Sequence, residues 1–161
     1  MIPSANAKNL MSCISQLLTQ DTTVDQEKKW MLSQVATDTA LTATIKALRT
    51  ADFHTIATIS TLTPAYLKSL PEKTGLSQPT ISRMMTRLSH HDLVEKYRTV
   101  TNSKDILVRL TPKGTQIAEI HAQLDQRILN NVAQVLEPYS QTEVTTTIQI
   151  LQEIAKIDVN R

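Results

Sequence analysis

The sequence predicts a mostly α-helical fold that contains one small β-hairpin. The chain has only two glycines in 161 residues, which argues against a β-rich fold with many tight turns. Apolar residues recur at helical spacing along most of the chain. Residues 70–114 have the pattern of two short helices joined by a tight turn, then a hairpin and the start of a third helix. A helix-turn-helix followed by a hairpin has a shape that suits duplex DNA.

Four helical segments are predicted before residue 62. Amphipathic spacing indicates helices over residues 5–20, 24–36 and 39–48. A fourth helix follows, and Thr50 is its expected N-cap because a threonine hydroxyl can accept a backbone N–H. Residues 61–64 are then expected to form a loop.

The next segment has the residues that begin and end the helices of a helix-turn-helix. A short helix over residues 67–74 is expected to end at Gly75, because glycine tolerates the left-handed backbone found at helix C-termini. Ser77 then caps the following helix, and Pro79 lies in its first turn, where a missing N–H is tolerated. An apolar stripe on this helix is expected to face the core. It comprises Ile81, Met84, Met85 and Leu88.

A two-stranded hairpin is predicted after this helix. Residues 93–97 and 106–110 are short strand-like runs, separated by a polar loop over residues 98–105. Cationic and amide side chains near the tip of this wing are candidates for contact with a minor groove or with phosphates. They are Arg98, Asn102 and Lys104.

A long helix and a shorter one complete the predicted fold. Thr111 and Pro112 are the expected N-cap and first residue of the long helix, which extends to Glu137. Ser140 and Glu143 form a plausible capping box for a last amphipathic helix.

The capped helix carries the residues that are best suited to reading DNA. Its outer face has small polar groups that permit close approach and two arginines that can donate bidentately to guanine. A glutamine near its N-terminus can pair with adenine, and the N-terminus itself favours a phosphate. The candidate DNA-binding residues of this helix are Ser77, Gln78, Pro79, Thr80, Ser82, Arg83, Thr86 and Arg87.

The positive charge of the chain is concentrated in this same segment. The net charge is only +2 overall. Between residues 63 and 113, however, nine Lys and Arg stand against four Asp and Glu, a net charge of +5. The remaining segments carry eight cations against eleven anions, a net charge of −3. The positive potential therefore belongs to the segment with the DNA-binding shape.

The run GLSQPTISRMMTRL, followed by DLVEK and NSKDILVRLTPKG, resembles the winged helix-turn-helix of the MarR family of bacterial transcriptional regulators. Members of that family are homodimers whose N- and C-terminal helices interleave, and each subunit contacts half of a palindromic site. The resemblance implies that residues 1–49 are N-terminal helices of the dimerisation layer. Residues 50–111 would be the DNA-binding core, and residues 112–161 the long helix and C-terminal dimerisation helix. The helix capped by Ser77 would be the recognition helix.

The sequence departs from the family pattern at two places. The wing tip reads Asn102-Ser103-Lys104 where the family commonly has Asp-x-Arg, so a cation is kept but the usual salt bridge is not expected. Asp92 stands where a glycine is usual, and we expect it to adopt a left-handed backbone conformation.

Signals for effector sensing are weaker than those for DNA binding. An oxidant-sensing branch of the family uses a lone cysteine near the place of Cys13, but no cation lies within a helical turn of it, which favours a small interface residue. His121 and Asp125 are an i, i+4 pair, fewer than the four ligands typical of zinc. Four other residues are interpreted mainly as core, with the lining of a small-molecule pocket as the alternative. They are Trp30, Met31, Phe53 and Tyr66.

The sequence therefore predicts a cytoplasmic, sequence-specific DNA-binding regulator, a homodimeric repressor that binds a palindromic operator in double-stranded DNA and is released by a small-molecule effector. The alternative is a winged-helix protein-interaction module that does not bind DNA. No enzyme motif, cofactor site or metal site is predicted. A single cysteine suits a reducing cytoplasm, and no run approaches the roughly 20 apolar residues of a membrane span.

Overall fold

The fold is mostly helical with a small antiparallel sheet, as the sequence predicts. The computed structural model describes residues 4–19, 22–100 and 104–157. Within these ranges the helices are α1 (Ser4–Thr19), α2 (Thr22–Gln34), α3 (Thr39–Ala47), α4 (Thr50–Thr61), α5 (Leu70–Thr74), α6 (Gln78–His90), α7 (Pro112–Leu136) and α8 (Gln141–Ala155). The strands are β1 (Ala65–Tyr66), β2 (Val94–Tyr97) and β3 (Leu107–Leu110), and a 3-10 turn at Leu67–Ser69 precedes α5.

The sheet contains the predicted hairpin and one additional strand. The strand order is β1-β3-β2 and both pairings are antiparallel. Val94 of β2 pairs with Leu110, and Ala65 of β1 pairs with Val108 on the other side of β3. The sequence does not indicate β1, because two residues are too few to show a strand alternation. This short strand pairs the chain before α5 with the half of β3 that is nearer the hairpin loop.

The start of α4 differs from the prediction by one residue. Arg49, not Thr50, is the N-cap, with an extended backbone, and Thr50 is the first helical residue. The carboxylate of Asp52 accepts the backbone N–H of Arg49 at 2.8 Å. An acidic side chain in the first turn thus satisfies a backbone donor at this helix end, and a threonine cap is not required.

The chain divides into two compact units, one that extends to Leu124 and one that begins at Asp125. The first unit, which we call the packed unit, has a continuous apolar core drawn mainly from α3 to α7. Eight of the described apolar side chains of this unit have 0% exposure. They are Ile45, Ile56, Leu70, Ile81, Met85, Leu88, Leu93 and Ile117.

The second unit, the helical unit, consists of the last part of α7 and of α8. The predicted capping box begins α8, since Ser140 donates its backbone N–H to Glu143 and accepts the N–H of Glu143 at its own hydroxyl. None of the described residues of α8 is buried. Large apolar side chains of this unit are exposed instead. They include Leu129, Val132, Val135, Ile148 and Leu151.

Candidate nucleic-acid interface

The turn before α6 has the predicted geometry. Gly75 ends α5 with φ of +70°, in the left-handed region. Ser77 is the N-cap of α6, and its hydroxyl accepts the backbone N–H of Thr80 at 3.4 Å. The hydroxyls of Ser77 and Thr80 also lie 2.8 Å apart. These contacts set the entry to α6 and leave its N-terminal end exposed.

The two faces of α6 have opposite environments. Its predicted apolar stripe is buried, with Ile81, Met85 and Leu88 at 0% exposure and Met84 at 2%. Most of the predicted DNA-binding residues lie on the other face and are exposed. They are Ser77, Gln78, Pro79, Thr80, Ser82, Arg83 and Thr86. The structure thus brings together on one surface the residues that the sequence singled out.

Arg87 differs from the other candidates on α6. Its side chain is only 30% exposed and forms an ion pair with Asp52 of α4, which is fully buried. The guanidinium Nε donates to Oδ2 of Asp52 at 3.2 Å, and Nη2 donates to Oδ1. Sequence reasoning missed this pair because its members are 35 residues apart and Asp52 lies outside the motif that contains Arg87.

A second set of contacts fixes the segment between α6 and α7. Asp92 has φ of +57°, which confirms the left-handed conformation expected there. Its carbonyl accepts the hydroxyl of Thr111 at 2.7 Å, while the carbonyl of Leu93 accepts the Thr111 N–H at 3.1 Å. Gly114 in the first turn of α7 is so close that an added Cβ would lie 2.0 Å from the Leu93 oxygen. The base of the wing is therefore held tightly against the start of α7.

The wing presents cations on both sides of its loop. Arg98 and Lys104 are exposed, and Asn102 lies outside the described residues. Asp105 accepts a hydrogen bond from the ammonium of Lys68 at 2.7 Å. This ion pair links the wing to the 3-10 turn before α5, at a different place from the Asp-x-Arg bridge of the family. The two residues lie 37 positions apart, so no sequence motif indicates the pair.

The outer surface of the hairpin contains a further charged cluster. Arg109 of β3 donates to Glu95 of β2 at 2.8 Å. Its guanidinium also lies over the ring of Tyr97, 5.2 Å from the centroid. These cross-strand contacts support the hairpin.

A cavity of about 290 Å³ lies within the packed unit. His121 is buried at its wall, stacked near Phe53 with 6.2 Å between ring centroids and edge-on to His54 at 5.4 Å. Two of the four predicted pocket candidates, Met31 and Phe53, line it. The full lining is Glu27, Lys28, Met31, Leu48, Arg49, Thr50, Phe53, His121 and Leu124.

Two other predicted sensing features are placed by the structure. Cys13 is exposed on α1. Within residues 4–19, 22–100 and 104–157, no group of three or more His, Cys, Asp or Glu side chains could hold a metal ion. None of the helices in these ranges is long and apolar enough to cross a membrane.

Residues 39–106 match the model of the MarR family. This region belongs to the MarR family. The match begins at α3, contains α6 and both members of the Asp52–Arg87 pair, and ends just before β3.

Relatives of the MarR-family region agree with this match. The chain is 25% identical over 101 residues to the HTH-type transcriptional regulator PchR of Bacillus subtilis (strain 168), a match that covers 63% of this chain and 60% of that regulator. Streptococcus pneumoniae FabT, solved in complex with DNA, has a similar fold, with a TM-score of 0.69, 13% identity and coverage of 93% of this chain and 95% of that one. The adhesin competence repressor AdcR of Streptococcus pyogenes has a TM-score of 0.65, 15% identity and coverage of 97% of both chains.

Proposed function

We propose that the protein is a homodimeric transcriptional regulator that binds a palindromic operator in double-stranded DNA and represses transcription by occupying it. The observation that carries the proposal is the exposed polar face of α6, on a helix whose other face is fully buried. A solvent-facing helix between a capped turn and a cationic hairpin suits the major groove. Similarity to a transcriptional regulator and to a structure solved with DNA supports the same reading.

Different residues of α6 are proposed to contact bases, to permit close approach and to bind a phosphate. We propose that Arg83 donates to guanine O6 and N7 and that Gln78, near the helix N-terminus, pairs with adenine. Ser82 and Thr86 are small and allow the helix to approach the base edges. The exposed N-terminal turn, with its backbone N–H groups, favours a phosphate.

The wing contributes mainly to affinity. Arg98, Asn102 and Lys104 belong to the segment of the sequence between β2 and β3 and are proposed to contact phosphates or an adjacent minor groove. Contacts of this kind carry little sequence information but set the salt dependence of binding.

A second copy of the chain is the proposed partner of the helical unit. Its exposed apolar side chains include Leu129 at 62% and Val135 at 67% exposure, and burial of such a face against a copy of itself stabilises a two-fold dimer. We propose that α1, with exposed Leu10, Met11 and Leu17, belongs to the same dimerisation layer. The two copies of α6 would then lie about 34–36 Å apart, one turn of DNA.

Release by a small ligand is proposed to begin at the cavity beside His121. Its volume of about 290 Å³ is at the lower end of the range for ligand pockets, about 300–1,000 Å³. A screen of small organic molecules for a rise in melting temperature tests this part. A ligand that binds the free protein must also weaken operator binding, and a ligand that stabilises the protein without weakening it would count against release.

The DNA-binding proposal is tested by selecting duplexes from a random pool and measuring affinity for the selected sequence. We expect a palindrome, a Kd that rises steeply with salt, and a loss of preference at one base position for Arg83→Ala. Lys104→Ala is the matched control from the wing, and we expect it to weaken binding to all sequences about equally. If both variants match the unaltered protein on the selected operator, the proposed interface is wrong.

The second candidate function is a winged-helix module that binds another protein. Such a module is expected to have an acidic or apolar outer face on α6, whereas this face is polar with an exposed Arg83. Retention on heparin with a steep salt dependence favours DNA. Weak retention, together with a random pool that yields no enriched sequence, would favour the protein-binding module.

A further inference from the structure

The Asp52–Arg87 ion pair joins α6 to the helix behind it. Asp52 lies in the first turn of α4 with no exposed side-chain surface, and its carboxylate accepts both Nε and Nη2 of Arg87. The same carboxylate accepts the backbone N–H of Arg49 at 2.8 Å. Asp52 is thus fixed to its own helix, and it fixes Arg87 in turn.

The geometry of the pair constrains the rotation of α6. Two parallel N–H···O bonds from a planar guanidinium define an angle as well as a distance, which a single bond does not. A buried carboxylate that loses its partner is strongly disfavoured, so the guanidinium is held in place. The Nε and Nη2 groups of Arg87 therefore both donate to Asp52.

Arg83 provides the contrast one helical turn earlier. It is exposed, and none of the carboxylates in the described residues forms an ion pair with it. Two arginines at i and i+4 on the same helix thus have different surroundings. The sequence alone gives them the same candidate role.

We propose that Arg87 is a positioning residue: together with Asp52 it fixes the rotation of α6 about its axis and thereby sets base discrimination without contacting DNA. This inference rests on the proposed function. A rotation of α6 by about 10° moves atoms about 6 Å from its axis by about 1 Å. Bidentate base contacts are sensitive to an error of this size, whereas long cationic side chains on phosphates can adjust.

The test measures affinity for the selected operator and for each of its single-base variants at several salt concentrations. Arg87→Lys keeps the charge but loses the planar fork, and Asp52→Asn alters a residue that does not face DNA. We expect each to reduce the ratio of operator to non-specific affinity about tenfold, with the loss spread over several base positions. Arg83→Lys is the matched control, and its loss is expected at one position.

A double variant, Asp52→Leu with Arg87→Met, separates positioning from direct contact. It removes both charges and leaves no buried ion without a partner. The backbone N–H of Arg49 loses its acceptor, but Arg49 is exposed at the start of the helix, so the variant is expected to fold. We expect the slope of log K against log salt to stay unchanged while discrimination falls. A slope that decreases in magnitude by about 1.8, about 0.9 for each of the two subunits on the operator, would mean that Arg87 neutralises a phosphate and would overturn the inference.

Two further outcomes would also overturn it. One is a loss in Arg87→Lys that is confined to a single base pair and absent in Asp52→Asn, which would assign Arg87 to a base. The other is unchanged discrimination in all three variants. If the unaltered protein itself selects no duplex, the proposed function fails and this inference fails with it. If the unaltered protein selects an operator and the variants discriminate between bases as well as it does, only this inference fails.

Discussion

Apolar residues recur at similar helical spacing in the packed unit and in the helical unit, but they are buried in the first and exposed in the second. On α6 of the packed unit, Ile81, Met85 and Leu88 are fully buried. On the helical unit, Val132 is 49% and Ile148 50% exposed, although they recur just as regularly. Periodicity therefore predicts which face of a helix is apolar, but it does not say whether the same chain or another one covers that face. In the packed unit, other residues of the same chain bury the apolar face of α6. For the helical unit, we propose that a second copy of the chain buries the apolar face.

The largest effect that tests this contrast is expected at Gly114 in the packed unit. An added Cβ would lie 2.0 Å from the carbonyl oxygen of Leu93, a backbone atom that cannot turn aside. We expect Gly114→Ala to lower the free energy of unfolding by about 3 kcal/mol. Urea unfolding followed by the fluorescence of Trp30, the single tryptophan, reports on this unit.

Gly75→Ala is the matched control for Gly114. It has open space around a Cβ but a φ of +70°, so only backbone strain of about 1 kcal/mol is expected. Equal losses in the two variants would contradict the close approach at Leu93.

The next effect is expected at Ile148 in the helical unit, where the cover is proposed to come from a second copy. Ile148→Asp introduces a charge into an apolar face and is expected to raise the dimer Kd about 100-fold. Gln149→Asp, the neighbouring exposed residue, is the control and should leave the dimer intact. Sedimentation across a range of concentrations measures both. If the wild-type chain is monomeric at all concentrations, or if the two variants have equal dimer Kd values, a second copy does not bury this apolar face.

Much of the fold follows from local sequence signals. Gly75, Ser77 and the capping box of Ser140 act within a few residues, and each is found where the sequence places it. Strand β1 and the Asp52–Arg87 pair were not predicted, because both depend on segments brought together by folding. The N-cap of α4 is Arg49 and not the predicted Thr50, because the carboxylate of Asp52, three residues further on, accepts the backbone N–H of Arg49.

The candidate site shows the same division. Exposure of Ser82, Arg83 and Thr86 follows from the position of the apolar stripe on α6, which is a local pattern. The partner of Arg87 is not local, so the sequence treats it as equivalent to Arg83. When a charged residue lies at the edge of an apolar stripe, the sequence alone does not show whether it contacts a ligand at the surface or pairs with a buried ion.

A smaller effect is expected at Asp92, where the packed unit contains a left-handed residue other than glycine. Its φ of +57° disfavours a side chain with a Cβ, so Asp92→Gly is expected to raise the free energy of unfolding by about 0.5 kcal/mol. Asp92→Ala should lower it, because alanine has no side-chain polar group to ease the left-handed conformation. Urea unfolding with Trp30 fluorescence again provides the measurement, and a loss of stability in Asp92→Gly would show that the aspartate side chain has a role of its own.

The smallest effect is expected at Glu143, where the helical unit depends on local capping rather than on a core. The hydroxyl and then the backbone N–H of Ser140 lower the pKa of Glu143 below its ordinary value of 4.5. Because the folded state favours the charged carboxylate, the capping contribution is present above pH 4.5 and is lost as the pH falls through the lowered pKa. The amide resonance of Ser140 should therefore shift with a midpoint below 4.5, and Glu143→Gln should abolish that titration. A midpoint at or above 4.5, or the same titration in the glutamine variant, would mean that Ser140 does not stabilise the charged carboxylate of Glu143.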